Sequence, residues 1–290
     1  MPPNVALLRE KGLAVQKAYE ESGRSGKSNV LTYGEYGTGK TTFLSTFPKP
    51  IWIASFDPGG TTTRALQEDI KRGDIIVEDF SGDSWKQPRK FLEWQNSYEQ
   101  LRADGMFEYV GTYAIDSLTE WSKCMLFESL KLPHKGSSKS RTGAIPEQRD
   151  YLVMLLSCLE YLGKVCDIPC HVCCTGHVAK YHNAVSGATE TGLLMMGQAL
   201  PQNIPLIFDE KYLLLKKETA SGEDYLVQTH RDGMYGAETR MGGDVFDKYE
   251  EPNFKALLKK AGRDDSDRPP IFHADYADPV LPGSGNNSNK

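Results

Sequence analysis

Residues 29–47 read NVLTYGEYGTGKTTFLSTF, and this stretch decides the fold. Its residues 30–33 predict a short buried strand, and residues 40–47 predict a helix that Pro48 ends. The pattern G-x-x-x-x-G-K-T, residues 34–41, stands between them. Glycines between a strand and a helix allow backbone N–H groups to surround phosphate oxygens, so the stretch predicts a phosphate-binding P-loop.

The side chains of this loop predict a site for ATP with Mg2+. Lys40 is expected to contact the β- and γ-phosphates, and the Thr41 hydroxyl is expected to bind the metal. The predicted nucleotide-binding residues are Gly34, Glu35, Tyr36, Gly37, Thr38, Gly39, Lys40, Thr41 and Thr42.

Outward from the loop, apolar runs alternate with helical patterns. Strands are predicted at residues 51–56, 75–77, 109–115 and 170–177, with a late hairpin of residues 210–216 and 225–229. Helices are predicted at residues 4–21, 85–101, 118 onward, 150–162 and 254–261. This alternation is typical of an α/β fold with a mostly parallel central sheet flanked by helices.

Two aspartates end predicted strands. Asp116 is expected to hold Mg2+ through its water shell, the alternative being an N-cap for the next helix. The residue after it is Ser117, whereas AAA+ enzymes usually carry a catalytic glutamate there. Asp57 is the leading candidate for the base that orients the attacking water, the alternative being a turn-forming role before Pro58.

These motifs carry a family resemblance over residues 29–245. With the P-loop, the segments Asp57-Pro58-Gly59-Gly60, Asp116-Ser117 and Thr175-Gly176-His177 resemble the RecA-like ATPases. Within that superfamily the chain looks like the phage single-strand-annealing ATPases. The resemblance implies that Asp57 stands where glutamate is usual, with a shorter reach that bears on the hydrolysis rate. Glu120 is the alternative base.

The resemblance also implies positions for sensing and DNA contact. His177 would sense the γ-phosphate and open a DNA-contacting loop at residues 178–201, and residues 132–148 would form a second such loop. The alternative for residues 132–148 is a solvated surface loop, and the alternative for His177 is an ordinary surface or core histidine. The candidate DNA-binding residues are Lys135, Lys139, Arg141, Lys180 and Tyr181. Arg240, with Arg231, would reach the γ-phosphate of a neighbouring subunit, the alternative being ordinary surface arginines.

Composition narrows the classes of protein. The net charge of −5 is not the basic balance typical of a protein that passively coats DNA. No run of eighteen apolar residues and no secretory leader is present, so we expect no membrane contact and a cytoplasmic location, in a bacterial host if the protein is phage-encoded. The cysteines of residues 166–174 predict small buried side chains rather than a zinc site.

Three segments are predicted. Residues 1–28 form a helix and linker that serve as an oligomerisation arm or cap their own domain, residues 29–262 form the RecA-like ATPase domain, and residues 263–290 form a flexible tail. The predicted function is an ATPase, oligomeric as a ring or filament, that binds single-stranded DNA in phage recombination, annealing or replication, with a phage single-strand-binding protein as a further partner. The alternatives are a small-molecule phosphotransferase and a slow ATP-gated assembly protein that binds a protein partner.

Overall fold

The computed structural model describes residues 5–21, 26–59, 64–133, 140–182, 187, 189–197, 199–219 and 222–276. The α-helices within these ranges are α1 (Val5–Glu21), α2 (Lys40–Leu44), α3 (Arg64–Arg72), α4 (Lys90–Ala103), α5 (Leu118–Ser129), α6 (Gln148–Val165), α7 (Leu200–Asn203) and α8 (Phe254–Lys260). The strands are β1 (Asn29–Gly34), β2 (Ile51–Ser55), β3 (Ile75–Asp79), β4 (Thr112–Asp116), β5 (His171–His182), β6 (Thr189–Leu193), β7 (Glu210–Thr219), β8 (Gly222–Gln228), β9 (Glu238–Thr239) and β10 (Tyr249–Glu250).

The strands form a single sheet in the order β10-β8-β7-β1-β5-β4-β2-β3. The six strands from β7 to β3 in that order run parallel, while β8, β9 and β10 join antiparallel at one side. The predicted α/β architecture, a mostly parallel sheet flanked by helices, is therefore confirmed. Because the central strands are parallel, their carboxyl ends meet at one edge, where loops form binding sites in open α/β sheets.

Two apolar cores cover the faces of this sheet. One contains buried residues of α4, α5 and α6, and the other contains buried residues of α2, α3 and α8. Cys174 belongs to the first core and Cys173 to the second, as side-chain alternation along a strand requires. Both thiols are fully buried, which agrees with the prediction of small apolar core residues.

Within the segment predicted as an irregular loop, residues 178–201, the described residues 178–182 and 189–193 form strands, so the prediction is wrong for these residues. Strand β5 continues past the sheet edge and pairs with β6 from Val178 opposite Leu193 to His182 opposite Thr189. At Gly176 the backbone passes so close to Leu193 that a Cβ would lie 2.1 Å from its side chain. Glycine at this position lets the hairpin fold back over the sheet. Turn-forming residues in the sequence do not reveal this close contact.

Helix α4 begins later than predicted. The sequence places its start at residue 85, whereas the structure places it at Lys90. The Asp83 carboxylate accepts hydrogen bonds from the backbone N–H groups of Ser84, Arg89 and Lys90, at 2.9, 3.0 and 3.4 Å. These bonds stabilise a non-helical turn before the helix.

Both domain boundaries shift relative to the prediction. Lys27 and Ser28, assigned to the linker, are buried, so the domain begins before Asn29. Residues 263–276, assigned to the flexible tail, contact the domain: Arg268 donates to the carbonyls of Phe107 (3.0 Å) and Pro169 (2.8 Å). The prediction for residues 277–290 lies outside the described residues, as does that for residues 22–25.

Helix α1 confirms the predicted N-terminal helix, and its side chains at residues 5–18 are exposed. No helix in the described part of the chain combines the length and apolar character that a membrane span needs.

Candidate nucleotide-binding site

The P-loop joins β1 to α2 at the carboxyl edge of the sheet. At Gly34 a Cβ would lie 2.5 Å from Thr38 Oγ1 and 2.7 Å from the Leu214 carbonyl oxygen, so only glycine fits beside β7. Gly39 has a φ of 84°, a conformation that L side chains rarely adopt. The loop is held in shape by Thr38, whose hydroxyl donates to the Glu35 carbonyl at 2.8 Å.

The Lys40 side chain lies in the concave side of this loop. Its Nζ donates to the carbonyls of Gly34 (3.0 Å) and Glu35 (2.8 Å). Burial lowers the pKa of Lys40, and the nearby carboxylates of Asp116 and Asp57 offset part of that effect. The ammonium is thus a buried hydrogen-bond donor, and its acceptors are carbonyl oxygens of the same loop. Phosphate oxygens can accept the same hydrogen bonds.

Asp116 and Thr41 bring together the oxygen atoms predicted to bind metal. Thr41 Oγ1 donates to Asp116 Oδ2 at 3.2 Å, and the Thr175 hydroxyl donates to the other carboxylate oxygen. Burial raises the pKa of Asp116, while the hydrogen bonds from Thr175 and Thr41 favour the ionised form. A carboxylate and a hydroxyl beside the P-loop are the ligand types that Mg2+ takes alongside nucleotide phosphates, so the residues present fit this metal.

Asp57 is held in a hydrogen-bonded cluster beside Asp116. Ser117 Oγ donates to Asp57 Oδ1 at 2.6 Å, and His177 Nε2 lies 3.3 Å from Asp57 Oδ2. Burial raises the pKa of Asp57, but the hydrogen bonds from His177 and Ser117, with the charges of His177 and Lys40, together outweigh burial, so the pKa lies below its ordinary value. The carboxylate is therefore ionised at neutral pH and available as a proton acceptor.

Strand register explains why these residues meet. His177 pairs with Gly34 across β5 and β1, and Asp116 pairs with Ser55 across β4 and β2. Strands β1, β5, β4 and β2 thus all reach the same edge of the sheet, around a cavity of about 610 Å³. This volume is in the range of small-molecule sites. The cavity is lined by Tyr36, Gly37, Thr38, Gly39, Lys40, Thr41, Thr42, Phe43, Asp57, Pro58, Gly59, Asp116, His177, Tyr225 and Pro252.

The structure places Arg240 away from this cavity of its own chain. Its backbone N–H donates to Glu210 Oε1 at 3.0 Å, and Glu210 pairs with Val30, at the beginning of β1. The guanidinium is exposed and lies 3.4 Å from Asp209. Arg240 is therefore at the amino edge, and the predicted role across a subunit boundary stays a prediction. Arg231 is exposed in the loop after β8.

The predicted DNA-contacting residues differ in what the structure says of them. Lys135 and Lys139 lie outside the described residues. Arg141 is bound within its own chain, because its guanidinium donates to both Asp150 oxygens at 2.8 Å and to Glu147 at 2.9 Å, and its predicted DNA contact stays a prediction. These bonds tie the loop to the start of α6. Lys180 is exposed on β5, whereas the Tyr181 hydroxyl donates to the Leu193 carbonyl at 2.5 Å and supports the hairpin.

Three residues of the site escaped sequence reasoning. Ser117, for which the sequence suggested no hydrogen bond to the candidate base, donates to Asp57. Tyr225 and Pro252 line the cavity from distant parts of the chain, and no local motif marks them. Glu120, the alternative base, pairs with Lys123 at 3.0 Å on α5.

Comparison with known proteins gives one family match, which covers the P-loop. A family described as an AAA domain matches residues 27–240. No curated protein matches the chain. Among solved structures, the KaiC-like protein PH0186 from the hyperthermophilic archaeon Pyrococcus horikoshii OT3 is 15% identical, with 69% of this chain and 76% of that chain covered and a TM-score of 0.37. A TM-score this low does not establish a common fold. The fold is therefore assigned from the observed order of the strands in the sheet.

Proposed function

The chain belongs to the AAA domain family, a P-loop nucleotide-binding family, and on that premise we propose that it hydrolyses ATP with Mg2+. One observation carries the proposal: Lys40, Thr41, Asp116 and Asp57 line a single cavity although they come from three separate segments of the chain. Each has the chemistry that phosphoryl transfer to water requires, namely a phosphate-binding cation, metal-binding oxygens and a proton acceptor.

The residues divide the work as follows. Lys40 binds the β- and γ-phosphate oxygens, and Thr41 and Asp116 hold the Mg2+, which neutralises charge on the phosphates when bound. Asp57 orients the attacking water and accepts its proton. Each oxygen of Asp57 already accepts one hydrogen bond, from Ser117 or from His177, and a carboxylate oxygen has a second lone pair for the water.

Within this proposal the protein is an oligomeric, DNA-stimulated ATPase that binds single-stranded DNA in the cytoplasm of a bacterial host. The resemblance to phage single-strand-annealing ATPases motivates it. The β5–β6 hairpin supports it, because β5 continues from His177 at the cavity to the exposed Lys180. A basic side chain on that hairpin can contact the phosphates of a DNA strand, while His177, where the hairpin leaves the sheet, lines the nucleotide site.

The deciding experiment measures ATP hydrolysis with and without single-stranded DNA. We expect Mg2+-dependent phosphate release that rises when the DNA is added and is absent in Lys40→Ala. Release in wild type that DNA leaves unchanged would retain the ATPase and reject the DNA-binding part. No release under any condition would reject hydrolysis altogether.

A salt titration tests the predicted DNA contacts directly. Replacing Lys135, Lys139 and Lys180 by alanine should weaken single-strand binding and reduce its logarithmic salt slope, by about 0.7 for each phosphate that the protein no longer neutralises. Lys71→Ala on α3 is the matched control, an exposed lysine paired with Glu68 far from the hairpin. Arg141 is left intact because its replacement would disturb α6.

A slow, ATP-gated assembly protein is the second candidate. The net charge of −5 favours a protein partner over nucleic acid, and the short reach of Asp57 favours slow turnover. This candidate predicts tight ATP binding, little hydrolysis and nucleotide-dependent oligomerisation without DNA. The same assay, combined with measurement of the molar mass in solution, separates the two functions. Transfer of phosphate to a small molecule instead of water would indicate a phosphotransferase.

A further inference from the structure

The hairpin of β7 and β8 extends beyond the carboxyl edge of the sheet, next to the P-loop. Gly34, the last residue of β1, pairs with Leu214, and β7 continues from there to Thr219 before β8 returns. This extension carries Tyr225, opposite Lys216 in the hairpin. A Cβ built on Gly39 would lie 3.4 Å from Tyr225 Cδ1, so the ring stands directly beside the P-loop.

Tyr225 is not explained by the hydrophobic core. Its side chain is 39% exposed and lines the nucleotide cavity. Polar side chains of the hairpin lie next to the ring: Lys216 Nζ is 6.0 Å from the ring centroid, and the same ammonium pairs with Glu223 at 2.6 Å. An aromatic ring held at the wall of a cavity offers a flat apolar surface to a ligand at little cost in side-chain entropy.

The position of Tyr225 relative to β1 decides which part of a nucleotide it would meet. Strands β5, β4 and β2, which carry His177, Asp116 and Asp57, lie on one side of β1, whereas β7 and β8 lie on the other. The metal-binding oxygens and the candidate base are therefore on the opposite side of the P-loop from Tyr225. A triphosphate held by the loop with its γ-phosphate near Asp57 directs its nucleoside end toward the β7–β8 hairpin.

Pro252 closes the same end of the cavity. It precedes α8, whose first residue donates its N–H to Thr46 Oγ1 at 2.8 Å, just after α2. Phe254 also stacks on Phe47 at a centroid distance of 3.9 Å, so the segment after Pro252 is packed firmly against the segment after α2. Pro252 thus has a fixed position in the cavity wall.

We propose that Tyr225 and Pro252 form the slot for the nucleobase, with the base stacked on the Tyr225 ring. The inference rests on the proposed nucleotide binding and adds the residues that hold the base. Stacking depends on ring area more than on the hydrogen-bonding edge of the base. The slot therefore favours purine over pyrimidine nucleoside triphosphates.

The test compares a nucleotide with a ligand that lacks the base. Binding of the non-hydrolysable analogue adenosine 5′-(β,γ-imido)triphosphate and of inorganic tripolyphosphate, both with Mg2+, is measured by calorimetry. Tyr225→Ala should weaken the nucleotide about tenfold, in the range of one base–aromatic stack, and leave tripolyphosphate binding unchanged. Tyr225→Phe should retain the affinity because it keeps the ring. Tyr109→Ala, an exposed tyrosine outside the cavity, is the matched control.

Each other outcome is informative. Equal weakening of both ligands in Tyr225→Ala would assign the residue to support of the P-loop and overturn the slot. Unchanged binding of both, or a base-dependent loss in Tyr36→Ala instead, would also overturn it. If wild-type protein binds neither ligand, the proposed function itself fails. In wild type, cytidine triphosphate should bind more weakly than ATP, and Tyr225→Ala should narrow that difference; an unchanged difference contradicts the slot.

Discussion

Two buried lysines flank β1, one near each end, and they differ in what they hold together. Lys27 and Lys40 are each 8% exposed, and each donates hydrogen bonds to two backbone carbonyls. The acceptors of Lys40 are Gly34 and Glu35, five or six residues away in its own loop. The acceptors of Lys27 are Cys166 and Ile168, about 140 residues away at the amino edge of the sheet.

This difference separates a lysine that joins distant parts of the fold from the lysine that we propose binds phosphate. Lys27 joins distant segments, so its bonds stabilise the tertiary fold. The two hydrogen bonds of Lys40 go to carbonyls of its own loop. Its side chain also lines a cavity together with Asp57 and Asp116, so its ammonium can exchange these carbonyl oxygens for phosphate oxygens. Burial alone therefore does not distinguish the two roles. The two roles are distinguished by whether the acceptor carbonyls are near or far in the chain, and by whether the lysine faces a cavity.

The largest expected effect is at Lys40. Lys40→Ala should abolish tight binding of a fluorescent ATP analogue, and hydrolysis with it, because alanine cannot make a charge-assisted hydrogen bond to phosphate. Its thermal stability should stay close to that of wild type. Lys27→Met, the matched substitution, should lower the free energy of unfolding by about 1–3 kcal/mol through the two unsatisfied carbonyls, and keep nucleotide affinity. If Lys40→Ala and Lys27→Met changed nucleotide affinity and stability in the same way, the two lysines would not have separate roles.

Arg240 tests whether the amino edge of one subunit serves the carboxyl edge of another. Arg240→Ala should reduce DNA-stimulated hydrolysis roughly 10³-fold, the scale of an arginine supplied across an interface. Mixing Arg240→Ala with Lys40→Ala protein should restore part of the rate, because one mixed interface pairs an intact P-loop with an intact arginine. Full activity of Arg240→Ala alone would end this hypothesis, and a silent mixture in which mixed oligomers form would confine Arg240 to its own subunit.

Asp57→Asn removes the candidate base at the carboxyl edge of the sheet and keeps the size of the side chain. The rate of hydrolysis should fall roughly 10²-fold, since the amide cannot accept the proton, whereas the nucleotide dissociation constant should change little. Single-turnover hydrolysis and equilibrium binding on the same protein separate the two quantities. Glu120→Gln is the matched control. Normal turnover in Asp57→Asn, with a defect in Glu120→Gln, would move the base to α5.

The smallest effect concerns His171 at the amino edge. Its Nδ1 accepts a hydrogen bond from the Ser28 N–H at 3.2 Å, and burial, with Arg268 nearby, lowers the pKa of its imidazole to about 4. The folded protein thus binds this proton less readily than the unfolded chain, whose histidine titrates near 6.5. The stabilisation is complete above pH 6.5 and is lost as the pH falls toward 4.

The measurement is denaturant unfolding at pH 7.5 and pH 5. His171 should account for about 2 kcal/mol of the decrease, from 1.36 kcal/mol per pH unit over the interval below 6.5. In His171→Gln, which keeps a hydrogen-bond acceptor, the decrease should be smaller by that amount. An equal decrease in both proteins would show that His171 is not the group that titrates.

Local patterns predicted much of this molecule. The P-loop and the strands that lead to Asp57, Asp116 and His177 could be predicted because each is a short apolar run followed by a polar residue or glycine. Contacts between remote segments were not recognisable. The pairing of β5 with β6, the bonds of Arg141 to Asp150 and the contacts of Arg268 join residues that carry no mark of their partner in the sequence.

The sequence by itself determined the phosphate-binding loop and the α/β alternation, because glycine conformation, strand periodicity and helix termination depend on neighbouring residues. The tertiary structure decided the rest. Sheet order brought Ser117 and His177 to Asp57, and set Tyr225 beside Gly39. It also carried Arg240 to the edge opposite its own P-loop. The physical reason is that the order and register of parallel strands depend on packing of the whole core, which no short segment encodes.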